Sequence, residues 1–490
     1  MKRGGGILLH PTSLPNQNNQ IGTLGHQAYQ FVEWLDRAGM KYWQILPLNP
    51  TGKGNCPYAS FSAFAAEPLL IDLDFIREKN WLTSQEADFP ISDLKKVDFD
   101  KVRNHHSKVM PVAYDRFLAI GGHEVEQFYL FCEQQKDWLD DFALFMAIKD
   151  HFRGEPWFEW DKAIKFREEK ALNQYKKRCT DQISYHKFLQ YLALSQWKGV
   201  KDYANSKGIQ VIGDIPIYVS MDSVDVWMNP GLFDLDEKLN PINVAGVPPD
   251  YFSEDGQLWG NPVFNWQNHI DTDFEWWLNR VKNTLQWVDL IRLDHFRAFE
   301  SYWSVKSGEQ TAKNGSWVKA EGRLLFETFK EAFGDLPFIA EDLGVITPEV
   351  EALRDDFCMS GMKILQFAFD SGEGNDFRPY NYVSNSVVYT GTHDNDTLMG
   401  WIENASQEDK KLASLYFNTT ELMPVDFIRS AWSSVSCLAI TTMQDVLEEG
   451  SSSRMNIPGT PDDNWEWRFD WTEVRGQDKI LRLFSDTFGR

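Results

Sequence analysis

Eight short apolar runs, each ending at a polar or charged cluster, constrain this chain more than any other feature of its 490 residues. They are Gly6–Leu9, Tyr42–Leu46, Ile209–Asp214, Asp289–Asp294, Phe338–Glu341, Lys363–Phe367, Ser386–Thr390 and Val435–Thr441. Uninterrupted apolar runs of this length read as strands buried on both faces, as in a parallel sheet. Amphipathic helical stretches lie between several of them, such as Gln27–Ala38 and Glu321–Ala332. Eight strands alternating with helices predict an α/β chain with a (β/α)8 TIM barrel. A doubly wound open sheet has the same periodicity and stays open as the alternative.

The runs are unevenly spread. Residues 47–208 separate the second from the third, far more than one crossover helix needs. Much of that stretch is charged and helix-compatible, as in Asp161–Lys177. The expectation is a barrel built from 1–74 and 196–490, with 75–195 as a mostly helical insertion between strands two and three. The next gap carries the Gly- and Pro-rich segment Asn240–Pro262, read as an ordered loop or lid over the cleft.

The formal net charge of -23 repels polyanions, so nucleic acid and anionic membranes are poor partners and a neutral substrate fits. The 20 tryptophans either fill a large core or line surfaces that stack on flat, partly apolar ligands such as sugar rings. Cys56, Cys132, Cys179, Cys358 and Cys437 are odd in number and lack a C-x-x-C pair, which points to free thiols in a reducing compartment. After Lys2 and Arg3 the apolar run is only Ile7-Leu8-Leu9, too short for a signal peptide. No stretch approaches the ~20 apolar residues of a membrane helix. The expected location is the cytoplasm, or a plastid stroma if a transit peptide has been removed. Monomer and homodimer both remain open.

In a TIM barrel the catalytic residues stand at the C-terminal ends of the strands. The fourth run ends in Arg292-Leu293-Asp294-His295-Phe296-Arg297, where Arg292 and Asp294, two apart, point to one side of a strand. A guanidinium beside a carboxylate favours the ionised form that a nucleophile needs. An ion pair closing the barrel end would have the same pattern. The fifth run ends in Glu341-Asp342. A carboxyl partly desolvated there becomes a proton donor, or the pair caps the next helix. The seventh leads through Gly391 into His393-Asp394-Asn395-Asp396. That is either a turn or part of a metal site whose other ligands the spacing does not reveal. The third ends in Asp214. Each acid alone has an ordinary explanation, but convergent carboxylates without a metal pattern are the equipment of glycoside chemistry.

On these motifs the chain resembles the amylomaltases, also called 4-α-glucanotransferases or disproportionating enzymes, which are glycoside hydrolase family 77 and relatives of the α-amylases. The likeness runs through nearly the whole chain. It is strongest in Gly6–Pro15, Gln44–Phe64, Gly213–Trp227, Gly246–Trp266, Asp289–Trp303, Ile339–Gly344, Gly391–Trp401 and Asn456–Arg468. The resemblance implies Asp294 as nucleophile, Glu341 as acid/base, and Asp394 as a third carboxylate that grips substrate, with His393 beside it. It also implies substrate-binding roles for Tyr58, which would stack on a sugar on the nonreducing side, and for Asp214, Arg292, His295 and Asn464. The segment Pro248–Pro262 resembles the family's mobile loop over the cleft and carries Pro249, Asp250, Tyr251, Trp259 and Asn261. Cys56 departs from the pattern, since relatives often carry Ser there.

The implied reaction moves a 1,4-α-glucan segment to the 4-hydroxyl of an acceptor by a retaining double displacement, with the two carboxyl groups about 5–5.5 Å apart. An amylase-type hydrolase with the same three carboxylates is the rival. The expected partners are α-1,4-glucans and malto-oligosaccharides. No cofactor or metal is expected, and Gly52-Lys53-Gly54 lacks the spacing of a phosphate loop.

Overall fold

The computed structural model describes residues 1–16, 20–89, 93–249, 253–370, 374–460 and 462–490. Among them, strands form two sheets. The first contains β1 (Gly4–Leu8), β2 (Tyr42–Gln44), β3 (Gln210–Ile215), β6 (Leu290–Leu293), β9 (Phe338–Ala340), β10 (Ser360–Ile364), β11 (Ser386–Tyr389) and β12 (Leu438–Thr442). The second contains β4 (Asn243–Val247), β5 (Gln257–Pro262), β7 (Ser301–Lys306) and β8 (Gly315–Lys319).

The first sheet closes on itself in the order β1-β12-β11-β10-β9-β6-β3-β2. Since β1 pairs in parallel with both β12 and β2, no edge is left and the open-sheet alternative falls away. Each of the eight apolar runs supplies one barrel strand, with shifts at the ends. β1 begins at Gly4, ahead of its apolar residues, because glycine is what the packing admits there. A Cβ on Gly5 would lie 2.7 Å from Trp432 Nε1, and one on Gly6 2.8 Å from Tyr42 Cβ. β10 is Ser360–Ile364, earlier than the expected Lys363–Phe367. Ser360 and Gly361 carry no apolar signal yet pair with β9, and Leu365–Ala368 already turns as a 3-10 helix. Val435, expected to open the last strand, is 57% exposed, and β12 starts at Leu438.

The reading of Asn240–Pro262 as a loop is corrected. β4 and β5 occupy much of it and join β7 and β8 in an antiparallel sheet of order β5-β4-β7-β8. These strands share one small cluster, Val244, Val305 and Ala312 with Leu258 and Trp303, while Ala245 and Tyr302 pack into the main core.

The helix expected at Gln27–Ala38 runs His26–Arg37, and that at Glu321–Ala332 runs Gly322–Phe333. Between β2 and β3 lie the long helices Phe99–Ile120, His123–Gln134, Lys136–His151 and Thr180–Ser206. The last of these serves two cores. Phe188, Leu189 and Leu192 pack with Trp81, Phe117 and Phe128, whereas Trp197 and Val200 pack with the barrel. This shared helix fastens the helical segment to the barrel through continuous apolar burial.

Candidate active site

Strand register sets the rim. Asp214 on β3 is level with Arg292 on β6, and Leu293 on β6 is level with Ala340 on β9. Asp294 and Glu341 are thus the next residues along adjacent strands. The Asp294 N–H donates to the Ile215 carbonyl at 3.0 Å and the Glu341 N–H to the Leu293 carbonyl at 3.1 Å.

Arg292 is the hub, with a side chain only 4% exposed. Its Nη1 donates to Asp214 Oδ1 at 2.9 Å, Asp214 Oδ2 at 2.7 Å and Asp294 Oδ1 at 2.9 Å. Its Nη2 lies 3.9 Å from Glu341 Oε2. Three acids around one buried guanidinium, Asp214 wholly buried and Asp294 and Glu341 partly so, do not all ionise cheaply. Glu341 is the one held farthest from the cation. Burial raises its carboxyl well above the usual glutamate range, Arg292 opposes the rise and the Asp294 charge adds to it. His295 adopts the left-handed region at φ 47° and thereby turns its backbone N–H onto Glu341 Oε2. The second Glu341 oxygen is left to carry the proton.

Burial also pushes the Asp214 carboxyl upward, against the pull of Arg292 and Tyr58. The Tyr58 phenol is raised well above its ordinary value by burial, so it stays protonated and donates to Asp214 Oδ2 at 2.9 Å. The Tyr58 ring stacks on His393 at 5.2 Å and 11°, with Trp465 within 6.0 Å of both rings. Burial lowers the His393 imidazole, and its Nε2 stands 3.3 Å from Asp394 Oδ2. Trp259, 38% exposed, meets His295 edge-on at 4.8 Å and 86°. Burial brings His295 down to about 4, so the ring is neutral near pH 7.

The predicted residues Asp294, Glu341, Asp394, Tyr58, Asp214, Arg292, His295, His393 and Trp259 thus converge. Others are placed differently. Asn261 gives its amide to the Val219 carbonyl at 2.9 Å. Asn464 is buried, donates to the Thr460 carbonyl at 2.9 Å and accepts the Ile457 N–H at 2.8 Å, so its amide shapes its own loop. Pro249 is exposed, and Asp250 and Tyr251 lie outside the described residues. Asp342 is structural. It accepts the Met362 N–H at 2.7 Å and pairs with Arg354 on the following helix.

Two residues that sequence reasoning passed over hold Asp394. Asn456 Nδ2 donates to its Oδ1 at 2.6 Å, and the Arg454 guanidinium donates to its carbonyl. The motif at Asn456–Arg468 was the available signal, but it does not say that its first residue reaches back to the end of β11. Cys56 is half-buried; burial pushes its thiol up to about 11, and the charges of Asp394 and Asp294 are close enough to add to the rise. Among the described residues, no group of three or more His, Cys, Asp or Glu side chains is arranged to hold a metal ion.

The sequence matches the profile of the 4-alpha-glucanotransferases over residues 9–473. The chain belongs to the 4-alpha-glucanotransferase family. A 4-alpha-glucanotransferase of Synechocystis sp. is 50% identical over 502 aligned positions, covering 100% of this chain and 98% of that protein. One of Clostridium butyricum is 47% identical, covering 94% and 95%. The structure of an amylomaltase from Streptococcus agalactiae in complex with acarbose superposes with a TM-score of 0.97 at 42% identity, over 100% of both chains. The activity is that of a 4-alpha-glucanotransferase, and the amylase-type hydrolase reading gives way to it. Among this family member's described residues, no helix is long and apolar enough to cross a membrane.

Proposed function

We propose that the rim cleft takes α-1,4-glucans and malto-oligosaccharides and works by a retaining double displacement in which Asp294 is the nucleophile and Glu341 the acid/base. The observation that carries this is the single buried guanidinium of Arg292, which bonds Asp294 at 2.9 Å and lies 3.9 Å from Glu341. It puts an acid tied to a cation next to an acid kept protonated by burial, the pairing that retention requires.

In the first step Glu341 gives its proton to the glycosidic oxygen as that bond breaks, and an Asp294 oxygen bonds to the anomeric carbon. The leaving glucan departs with the proton. In the second step Glu341 removes the proton from the 4-hydroxyl of an acceptor, whose oxygen displaces Asp294. Asp394, held by Asn456 and His393, is oriented to grip hydroxyls of the reacting sugar. Tyr58 offers an aromatic face and fixes Asp214 behind Arg292. The Streptococcus agalactiae amylomaltase is in complex with acarbose, which supports an oligosaccharide as ligand here.

Transfer outruns hydrolysis only when the acceptor is positioned and water excluded; well-oriented groups reach effective molarities of about 10⁵ M or more. Trp259, standing over His295 on the second sheet, is suited to that task. A cytoplasmic or stromal location agrees with five free cysteines, and a Solanum tuberosum relative, 40% identical, is described as chloroplastic/amyloplastic. Incubation with maltotriose alone tests the function. The expected products are glucose plus a ladder of longer chains, and a mixture of only shorter sugars would mean hydrolysis. Asp294→Ala should end turnover while glucan binding persists.

A further inference from the structure

The turn that carries Asp294 and the loop that follows Glu341 meet at a buried cation that the chemical steps leave unused. Strand β6 runs into the turn 294–300, which leads straight into β7 of the second sheet. Arg297 sits in the middle of that turn and is 5% exposed. Its Nη1 donates at 2.5 Å to the carbonyl of Val345, in the loop after β9. Its guanidinium carbon lies 3.7 Å from the ring centroid of Trp317 on β8. One side chain thus joins the barrel turn, the loop after β9 and the second sheet.

Packing alone does not account for this arginine. Its Nε is buried without a hydrogen-bond partner. Burial lowers the guanidinium from its ordinary value, and the Glu349 charge opposes this without cancelling it. A buried cation is costly, and an apolar side chain of similar volume often serves stability as well or better. Trp317 is 39% exposed, on a strand with no buried residue. A guanidinium flat against an indole gains cation–π attraction, and its planar fork is held in one direction. The indole is itself set edge-on against Trp303 at 5.2 Å and 67°, and Trp303 Nε1 donates to the Ala312 carbonyl at 2.8 Å.

The turn that Arg297 fastens is the one that serves Glu341. The Phe296 N–H donates to the Glu341 carbonyl at 3.1 Å, and the His295 N–H donates to Glu341 Oε2. The second bond needs His295 at φ 47°, a conformation uncommon for a residue with a side chain. That N–H favours the charged carboxylate and so works against the rise that burial imposes on Glu341.

We propose that Arg297 is a positioning residue for the acid/base: clamped between the Val345 carbonyl and Trp317, it fixes the 294–300 turn so that the His295 N–H stays on Glu341 Oε2. The hold on the Glu341 proton rests on these contacts; the effect on turnover rests on the function proposed above.

The test compares Arg297→Met, Arg297→Lys and Trp317→Leu in the full chain. With maltotriose, Arg297→Met should lower kcat by about tenfold and leave KM within about twofold. The alkaline limb of its kcat/KM profile, where Glu341 loses its proton, should move up by about half a pH unit or more as the N–H contact to the carboxylate weakens. Trp317→Leu alters a surface side chain and leaves the cation in place; it should shift the limb the same way by less. Arg297→Lys keeps the charge but cannot lie flat on the indole and reach the carbonyl at once, so the parental limb should not return. A purely structural role would lower the melting temperature and leave the limb in place in all three, which overturns the proposal. A lysine enzyme with the parental profile also overturns it, because charge alone would then suffice. The proton can be read without turnover as well. At the alkaline end of the range, Glu341→Gln should raise the melt more in the Arg297→Met background than in the parent, since a proton held more tightly costs more to remove. An equal gain in both backgrounds overturns the inference. A larger gain together with an alkaline limb that survives Glu341→Gln would uphold the positioning and reject Glu341 as the acid.

Discussion

Arg292 Nη1 stands 2.9 Å from Asp294 Oδ1, two residues further along the same strand end, and the same nitrogen also bonds Asp214, whose side chain is wholly buried. One planar cation therefore orients an acid at the cleft and neutralises another beneath it. A lysine is shorter and concentrates its charge on one atom, so it cannot serve Asp214 and Asp294 while a second nitrogen approaches Glu341. Arg292→Lys should lower kcat by about 10²–10³-fold with little change in KM, since the lost contacts act on the transition state. Arg292→Met should in addition cost about 3–5 kcal/mol of stability, because Asp214 is left buried and unpaired. Steady-state kinetics and thermal melts read both effects. An Arg292→Lys enzyme with parental kcat would remove Arg292 from its assigned place.

Glu341 ties activity and stability to pH. Burial raises its carboxyl in the folded chain, so the folded state holds the proton more tightly than the unfolded one. The stability linked to that proton is fully present below the unfolded value near pH ~4.3 and drains as pH rises through the higher folded value. Glu341→Gln stays neutral throughout. It should melt higher than the parent by a margin that widens as pH rises above about 4. A margin that stays constant, or narrows, would contradict the burial argument.

The same substitution separates acid catalysis from nucleophilic attack. Glu341→Gln should lose turnover of natural glucans by at least about 10³-fold. It should still form a glucosyl-enzyme from α-glucosyl fluoride, whose leaving group departs without a proton. Mass spectrometry of the quenched reaction detects that adduct, and its attachment anywhere other than Asp294 would reassign the nucleophile.

Trp259 contacts the site through His295 rather than through an acid. Trp259→Ala should therefore leave bond cleavage within roughly tenfold of the parent but shift the outcome toward water. The reading is the ratio of new reducing ends to glucose released from maltotriose. An unchanged ratio would confine Trp259 to supporting the second sheet.

Lys149, on the helix Lys136–His151, reaches Asp222 Oδ2 at 2.6 Å in the segment after β3, and its ammonium lies over the Phe61 ring at 4.7 Å. Its side chain is 5% exposed, against 22% for Asp222. Lys149→Met keeps the apolar stem and strands an acid that water still partly reaches. The expected loss is about 2–3 kcal/mol, below the extreme for a fully buried pair, with kcat nearly unchanged. A chemical-denaturation series checks the stability and maltotriose kinetics check the rate.

The eight barrel strands were legible because a strand buried on both faces must be apolar along its length, and the acids at their ends stand out against that background. Strand limits were less legible wherever packing favours residues without apolar signal, as at Gly4–Gly6 and Ser360–Gly361. The second sheet was invisible for the same reason, since Gly315–Lys319 is partly or wholly exposed along its length. Asn261 and Asn464 show the limit for the site. A motif locates an amide near the cleft, but only its neighbours reveal which of its hydrogen bonds are already made within the protein.

From the sequence alone followed the alternation of buried strands and helices, the identity of the acids at the strand ends and the family to which the chain belongs. These are local patterns, written in consecutive residues. Barrel closure, the levelling of Asp214 with Arg292, the proton left on Glu341 and the grip of Asn456 on Asp394 from 62 residues away were decided only in three dimensions. Each depends on distance, register and exclusion of water between segments remote in the chain, quantities that a linear order of residues does not contain.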